Sequence, residues 1–193
     1  VDFIEMDLLE LTSINKRFDL IECSGVLHHM NDPTKGLSNL LDVLEPKGFL
    51  KLGLYSKYAR KEILKARELI KEKDIKPSVD EIRSFRNDVL NGEIKQLNEI
   101  TNWSDFYSTS MCRDLCFHSH ENCYSLIEIK NMLKVSNLEF LGFTLSKDIK
   151  DKYQRDNKDI NSLKDLELWD KFEKLNPNSF REMYQFWARK SIK

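Results

Sequence analysis

An α/β fold built on a mostly parallel sheet is what this sequence predicts, and three observations carry the prediction. Phe18 to Ser56 reads as strand, turn, helix and strand. Two apolar strands joined by a helix make a crossover in a parallel sheet. Further strand patterns, at Val1–Asp7, 138–145 and 183–189, alternate with helical stretches. At 193 residues, with 40% hydrophobic and 10% aromatic side chains, the chain is long enough to bury a substantial core.

Taken in order, Val1–Asp7 (VDFIEMD) alternates apolar and polar side chains, which predicts a strand with Asp7-Leu8 at its carboxyl end. Residues 8–17 make a short helical or looped crossing. The next strand carries Phe18, Leu20, Ile21 and Cys23 and runs into Ser24-Gly25. His28, His29, Met30 and Asn31 form a rim. Asp32-Pro33 supplies an N-cap followed by proline at the first helical position. Leu37, Leu40, Leu41 and Leu44 repeat at helical spacing, Pro46-Lys47-Gly48 stops the helix, and Phe49–Tyr55 is a second strand.

Ser56 is expected to cap a helix reaching Glu72, and Ser78-x-x-Glu81 a second one carrying Ile82, Phe85 and Val89. Residues 93–116 read as irregular helix. The stretch 57–123 is too long for a plain connection and predicts a helical insertion that covers a site. Ser125-x-x-Glu128 opens a helix through Val135, and 138–145 is a strand. Residues 146–160 show no apolar period and predict a mobile loop. Leu163–Leu175 is an amphipathic helix with Leu166, Trp169 and Phe172, and 183–189 is a last strand. The prediction is one domain over 1–193, with the insertion inside it.

Thirty-one basic against 32 acidic residues argue against a nucleic-acid or anionic-membrane binder. No apolar run has the length to cross a bilayer. Four cysteines without a secretory signal predict reduced thiols and a cytoplasmic protein.

Chemistry concentrates at the end of the Phe18 strand, because ligands sit at strand carboxyl ends in such sheets. Gly25 lets a ligand approach the backbone, although Ser24-Gly25 also reads as a plain strand-to-helix turn. His28 and His29 titrate near neutrality, so each is either a general base or a packed rim residue. Cys112, Cys116, His118, His120 and Cys123 are metal-ligand types. Crowded into twelve residues without a paired Cys-x-x-Cys, they lack a zinc spacing, and no metal is expected. Arg113 reads as an anchor for a substrate anion or as a structural ion pair. Tyr55, Tyr107 and His118 are further candidates to line a pocket.

FDLIECSGVLHHMNDP followed by LEPKGFLKLGLYS resembles the second half of a class I S-adenosylmethionine-dependent methyltransferase of the type 11/12-like kind. GLYSKYAR, DEIRSFR, RDLCFH, LEFLGF and FREMYQFWARK narrow the resemblance to a bacterial group often fused to tetratricopeptide repeats. It implies a Rossmann-like sheet of order 3-2-1-4-5-7-6, of which this chain holds strands 3, 4, 5, 7 and 6, with the last strand antiparallel between its neighbours. It also implies S-adenosylmethionine as cofactor. Asp7 would hold the adenine amino group and the Leu8 amide a ring nitrogen, with strand-end capping as the other reading of Asp7. Cys23, Ser24, Gly25 and His29 would lie at the cofactor's reactive end.

The implied reaction is methyl transfer to a small or carrier-bound acceptor, with His28, His29, Arg113 and His118 as candidate catalytic residues. The six glycines (25, 36, 48, 53, 92 and 142) make no G-x-G turn. The resemblance therefore implies a carboxyl-terminal portion that is inactive by itself, or else an interaction module that kept the sheet and lost catalysis. A nicotinamide-dependent dehydrogenase would need the same absent turn.

Overall fold

The structure, a computed structural model, describes residues 1–118 and 120–191. The chain divides into two compact units, Val1–Ala59 with His120–Lys193, and Arg60–Ser119.

The first unit is α/β. Its strands are β1 (Phe18–Ser24), β2 (Leu44–Ser56), β3 (Cys123–Tyr124), β4 (Leu138–Phe143) and β5 (Tyr184–Lys190). The main sheet has the order β1-β2-β5-β4, and the two-residue β3 pairs with the end of β2. β1 and β2 are parallel, whereas β5 lies antiparallel between β2 and β4. The carboxyl ends of β1, β2 and β4 and the amino end of β5 therefore share one edge of the sheet.

Helix α1 (Pro33–Asp42) links β1 to β2 and starts as its sequence dictates, with Asp32 Oδ1 accepting from the Lys35 amide at 3.0 Å. It buries Leu37 and Leu40, but Leu44 belongs to β2 and not to the helix. Leu44 pairs with Phe18, and a bulge then shifts the register so that Leu20 faces Phe49. The sheet claims Leu44 because Phe18 needs a ladder partner there.

Leu50, Leu52 and Leu54 are fully buried in β2, and α5 (Leu126–Val135) and α7 (Leu166–Leu175) pack into the same core. The capping box of α5 is complete: Ser125 Oγ accepts from the Glu128 amide, and Glu128 accepts from the Ser125 amide.

Three further expectations fail in this unit. Val1–Asp7 is not a strand: Val1, Phe3 and Ile4 are exposed and no ladder reaches them. A strand exists only by pairing, and the implied order puts two further strands between this segment and β1. No described residue supplies them. Residues 146–160 are no loop but hold α6 (Lys147–Asp156) and a following 3-10 turn. Its apolar stripe is only Ile149 and Tyr153, four residues apart, yet Tyr153 is fully buried and stacks on Trp169 at 3.6 Å and 8°. One buried aromatic was enough to fix a helix too polar to announce itself.

Ser56, finally, does not cap a helix. Its hydroxyl accepts from the Ala59 amide at 3.0 Å in a turn, and α2 begins only at Lys61.

The second unit is all-helical: α2 (Lys61–Glu72), α3 (Val79–Leu90), 3-10 turns at Lys95–Asn102 and Ser104–Tyr107, and α4 (Thr109–Phe117). Ile63, Ile82, Phe85, Leu97, Phe106 and Leu115 form its core. Ser78 caps α3 as expected, but the return arm of its box is diverted, since Glu81 accepts from the Lys76 amide. The unit is narrower than the predicted 57–123. Ser56 still belongs to β2, the Lys57 amide donates to the Tyr124 carbonyl of β3, and the chain rejoins the first unit at His120, before β3.

Candidate functional site

The sheet edge formed by the ends of β1 and β2 collects most of the expected residues. β1 ends at Ser24, and Gly25 follows with φ +77°, a conformation that glycine alone adopts cheaply. The Gly25 amide donates to the Gly53 carbonyl at 3.3 Å, and nothing lies within 4 Å of where a side chain would start. Backbone is thus presented to an open space. At Gly53 the reverse holds, because an added Cβ would lie 2.7 Å from Met183 Sδ and 2.8 Å from Ser24 Cβ. The ends of β1, β2 and β5 meet there with no room for a side chain.

The rim after Gly25 is a 3-10 turn, Leu27–His29, with Leu27 and His28 buried. The His28 ring stacks on Tyr55 at 3.8 Å and 28°, and the His29 ring meets His28 edge-on at 4.4 Å. His29 Nδ1 lies 3.2 Å from the His120 carbonyl oxygen. A carbonyl only accepts, so this contact puts the proton on Nδ1 and makes Nε2 the acceptor atom of the neutral ring. Of the two histidines, His29 therefore has the better-defined proton-accepting atom.

Asn122, which the sequence reading missed, straps this rim down. Its amide donates to the His28 carbonyl at 2.7 Å, and its side chain donates to the His28 and Met30 carbonyls at 3.3 and 3.0 Å. Nothing in the sequence singles out one asparagine 91 positions after Asn31; only the β2–β3 pairing brings it here. Asn122→Ala is expected to lower stability by about 1–3 kcal/mol, because the Met30 carbonyl loses its donor in a partly buried rim while the backbone amide of residue 122 still serves the His28 carbonyl. Chemical denaturation reads that loss, and an unchanged midpoint would show the strap to be idle.

Asp7 caps the 3-10 turn Leu8–Ile14, with Oδ1 accepting from the Leu9 amide at 2.8 Å. The cap belongs to the turn after Asp7 and not to a strand end, and it occupies one of the two carboxylate oxygens. The buried Asn39 of α1 donates to the Leu8 and Leu9 carbonyls at 3.2 and 2.8 Å, so the turn is docked on α1 although no strand precedes it. Cys23 is buried, and burial pushes its thiol pKa up, which favours a packing role over a reactive one.

Arg113 and His118 belong to the other unit. Arg113 is exposed on α4 and His118 follows that helix. Cys112 and Cys116, one turn apart on α4, are buried in that unit's core. The hydrogen bond between them holds the Cys112 pKa down and, with burial, pushes Cys116 up. Cys123 stands in β3 of the first unit, its thiol 3.6 Å from Glu121. Among the described residues no cluster of three metal-ligand side chains forms.

Residues 1–52 match the family model described as a methyltransferase domain. An uncharacterized protein of Synechococcus sp. is 28% identical over 151 residues, covering 75% of this chain and 36% of that protein. PKMT2 from Rickettsia typhi shares the fold over 97% of this chain at TM-score 0.65 and 16% identity. Its complex with AdoHcy superposes over 95% at TM-score 0.68, also at 16% identity. The chain spans 36% of the Synechococcus protein and 38% of each Rickettsia chain. Nearly the whole of this chain therefore shares the fold of part of PKMT2, and Gly25, His28 and His29 of the strand-end site lie within the residues that match a methyltransferase domain.

Proposed function

We propose that this chain is part of an S-adenosylmethionine-dependent methyltransferase and forms the wall of the site beside the transferred methyl group. The observation that carries the reading is the open Gly25 backbone at the end of β1, inside the segment matched to a methyltransferase domain. PKMT2, a protein of the same fold, takes AdoHcy, which is S-adenosylmethionine after loss of its methyl group.

The residues fit the cofactor in part. Gly25 leaves space for it, the second carboxylate oxygen of Asp7 suits the adenine amino group, and the Leu8 amide suits a ring nitrogen. No residue of this chain supplies a G-x-G turn for the sugar and carboxylate end.

The cofactor, when bound, supplies an electrophilic methyl group. The chain's own residues orient and shield. Ser24, Gly25 and the buried Cys23 form that wall, and the rim with His28 and Tyr55 limits water. In this reading His29 Nε2 takes the proton from an acceptor that must lose one. The acceptor is a small or carrier-bound group, and the planar fork of Arg113, exposed on α4 of the second unit, suits an anion in its own right. Fusion to tetratricopeptide repeats and a cytoplasmic setting complete the proposal; among the described residues no helix is long and apolar enough to cross a membrane.

Calorimetry tests the reading on a chain extended at its amino end. AdoHcy is expected to bind, and Asp7→Ala to weaken binding about tenfold through loss of a charge-assisted hydrogen bond. No heat of binding from a folded, extended protein would overturn it.

A second reading, a non-catalytic interaction module, is favoured by one observation. β1 lies at the edge of the sheet with Phe18 and Leu20 exposed, a surface suited to strand addition. An extended protein that binds AdoHcy and remains monomeric would count against it.

A further inference from the structure

Helix α7 carries Leu166, Trp169 and Glu173 along one stripe, and all three are buried. A carboxylate at the last of these positions is out of place, because an isolated buried charge costs far more than an apolar side chain there. Glu173 is fully buried and its two oxygens are both used. Oε1 accepts from Ser56 Oγ at 2.5 Å, and Oε2 accepts from the Tyr184 hydroxyl at 2.5 Å.

Those two partners mark a gap in the sheet. The β2–β5 ladder stops at the Leu54–Tyr184 pair, two residues before β2 ends. Beyond it, Tyr55 and Ser56 are paired only by the two residues of β3. Glu173 bridges the last residue of β2 and the first of β5 where the ladder between them has ended. The strand end so held is the one that stacks Tyr55 on His28.

We propose that Glu173 is a positioning residue for the strand-end site: by accepting from Ser56 and Tyr184 together it fixes the end of β2 and keeps Tyr55 against His28. The inference rests on reading these strand ends as the site proposed above. The carboxylate form is the one that holds, since only it accepts from both hydroxyls.

Its surroundings set the balance between carboxylate and acid. Burial pushes the Glu173 pKa up to about 7, against the pull of its two hydrogen bonds. Asp170, one turn earlier, adds negative charge: Oδ2 pairs with Lys174 at 2.8 Å, while Oδ1 has no hydrogen-bond partner among the described residues. Lys174 lies 5.9 Å from the Tyr58 ring. From the neighbouring helices, Lys130 of α5 is held by Glu167, and Tyr153 of α6 donates to the Ser162 carbonyl. Position is thus gained at the expense of stability, and that opposition makes the proposal testable.

Hydrogen exchange read by mass spectrometry on this chain at pH 8, with a urea titration beside it, separates the two roles. Glu173→Gln turns one acceptor into a donor and removes the charge. The variant is expected to resist more urea than wild type, yet to exchange residues 54–59 and 27–31 about tenfold faster, the effect of losing one good hydrogen bond. Protection at those segments that merely follows global stability in both proteins would overturn the proposal. Ser56→Ala keeps the carboxylate and guards against a variant that does not fold. It is expected to loosen the same segments, and unchanged protection there would also overturn the role.

Calorimetry with AdoHcy on the amino-extended protein adds the functional arm, with affinity expected to fall about tenfold in Glu173→Gln. Unchanged affinity counts against positioning. A wild-type protein that binds no AdoHcy would refute the proposed function instead, and the exchange result would still decide the clamp.

Discussion

Between pH 5 and pH 8 the protein is expected to lose about 3 kcal/mol of stability through Glu173, and Glu173→Gln to abolish most of that loss. The sign follows from where the proton sits. In the folded protein the carboxyl pKa is pushed up to about 7 by burial, from the 4.5 of a solvated glutamate. Below the unfolded value both states are protonated and the group's stabilising contribution is fully present. Between the two values the folded state keeps a proton that the unfolded state has lost, so each pH unit removes about 1.4 kcal/mol. Above the folded value both states are ionised and the penalty is complete.

Other carboxylates do not mask this slope. Glu22 and Glu139 are held down by hydrogen bonds to Lys51 and Arg189, and the Ser125 and Lys57 hydrogen bonds of Glu128 outweigh its desolvation. Their contributions run the other way and fade only as pH falls below the ordinary carboxylate range. Urea midpoints at four pH values for both proteins measure the difference. Parallel curves for wild type and Glu173→Gln would mean that the buried carboxyl does not carry the pH dependence.

Trp169→Ala should destabilise the first unit by about 3–5 kcal/mol, the usual range for emptying a buried tryptophan site. Trp169 is buried and stacks on Tyr153. Its ring meets Phe143, Phe172 and Phe180 edge-on at 5.4, 5.6 and 5.9 Å, and its Nε1 donates to the Leu163 carbonyl at 3.1 Å. The variant empties a large volume and orphans that carbonyl.

The loss should spread to α6, since Tyr153 is its one buried residue and Trp169 is what it stacks on. Amides of residues 147–156 are therefore expected to lose protection before the rest of the unit, while Trp169→Phe, which keeps a ring against Tyr153, preserves much of it. Denaturant midpoints and exchange of the α6 amides report the two effects separately. An α6 that stays protected in Trp169→Ala would show that it is anchored by something other than this stack.

Much of the architecture was legible because it is encoded locally. Asp32-Pro33, Ser78 and Ser125 begin α1, α3 and α5 as their capping chemistry requires. Gly25 leaves its backbone open to an approaching group, as its place after an apolar strand suggested. What misled was pattern without partners. Val1–Asp7 alternates like a strand but pairs with nothing, and 146–160 lacks a period yet folds as a helix around one tyrosine. Ser56 has the chemistry of a helix cap and its hydroxyl does accept from the Ala59 amide, but the residues it opens form a turn and α2 starts only at Lys61.

The candidate site divides along the same line. Gly25, His28 and His29 lie next to one another in the chain, so their grouping on one turn needed only the strand before and the helix after. That much the sequence determined alone, because a strand end followed by glycine and a capped helix leaves few backbone paths. Asn122, Tyr55, Met183 and Glu173 reach the same edge from far along the chain. A signal existed for Glu173, a charge seven residues after Leu166 on an apolar stripe, but its partners did not show. Only the tertiary structure decided those, because a long-range hydrogen bond depends on how strands pair, and pairing is a property of the whole sheet and not of any segment in it.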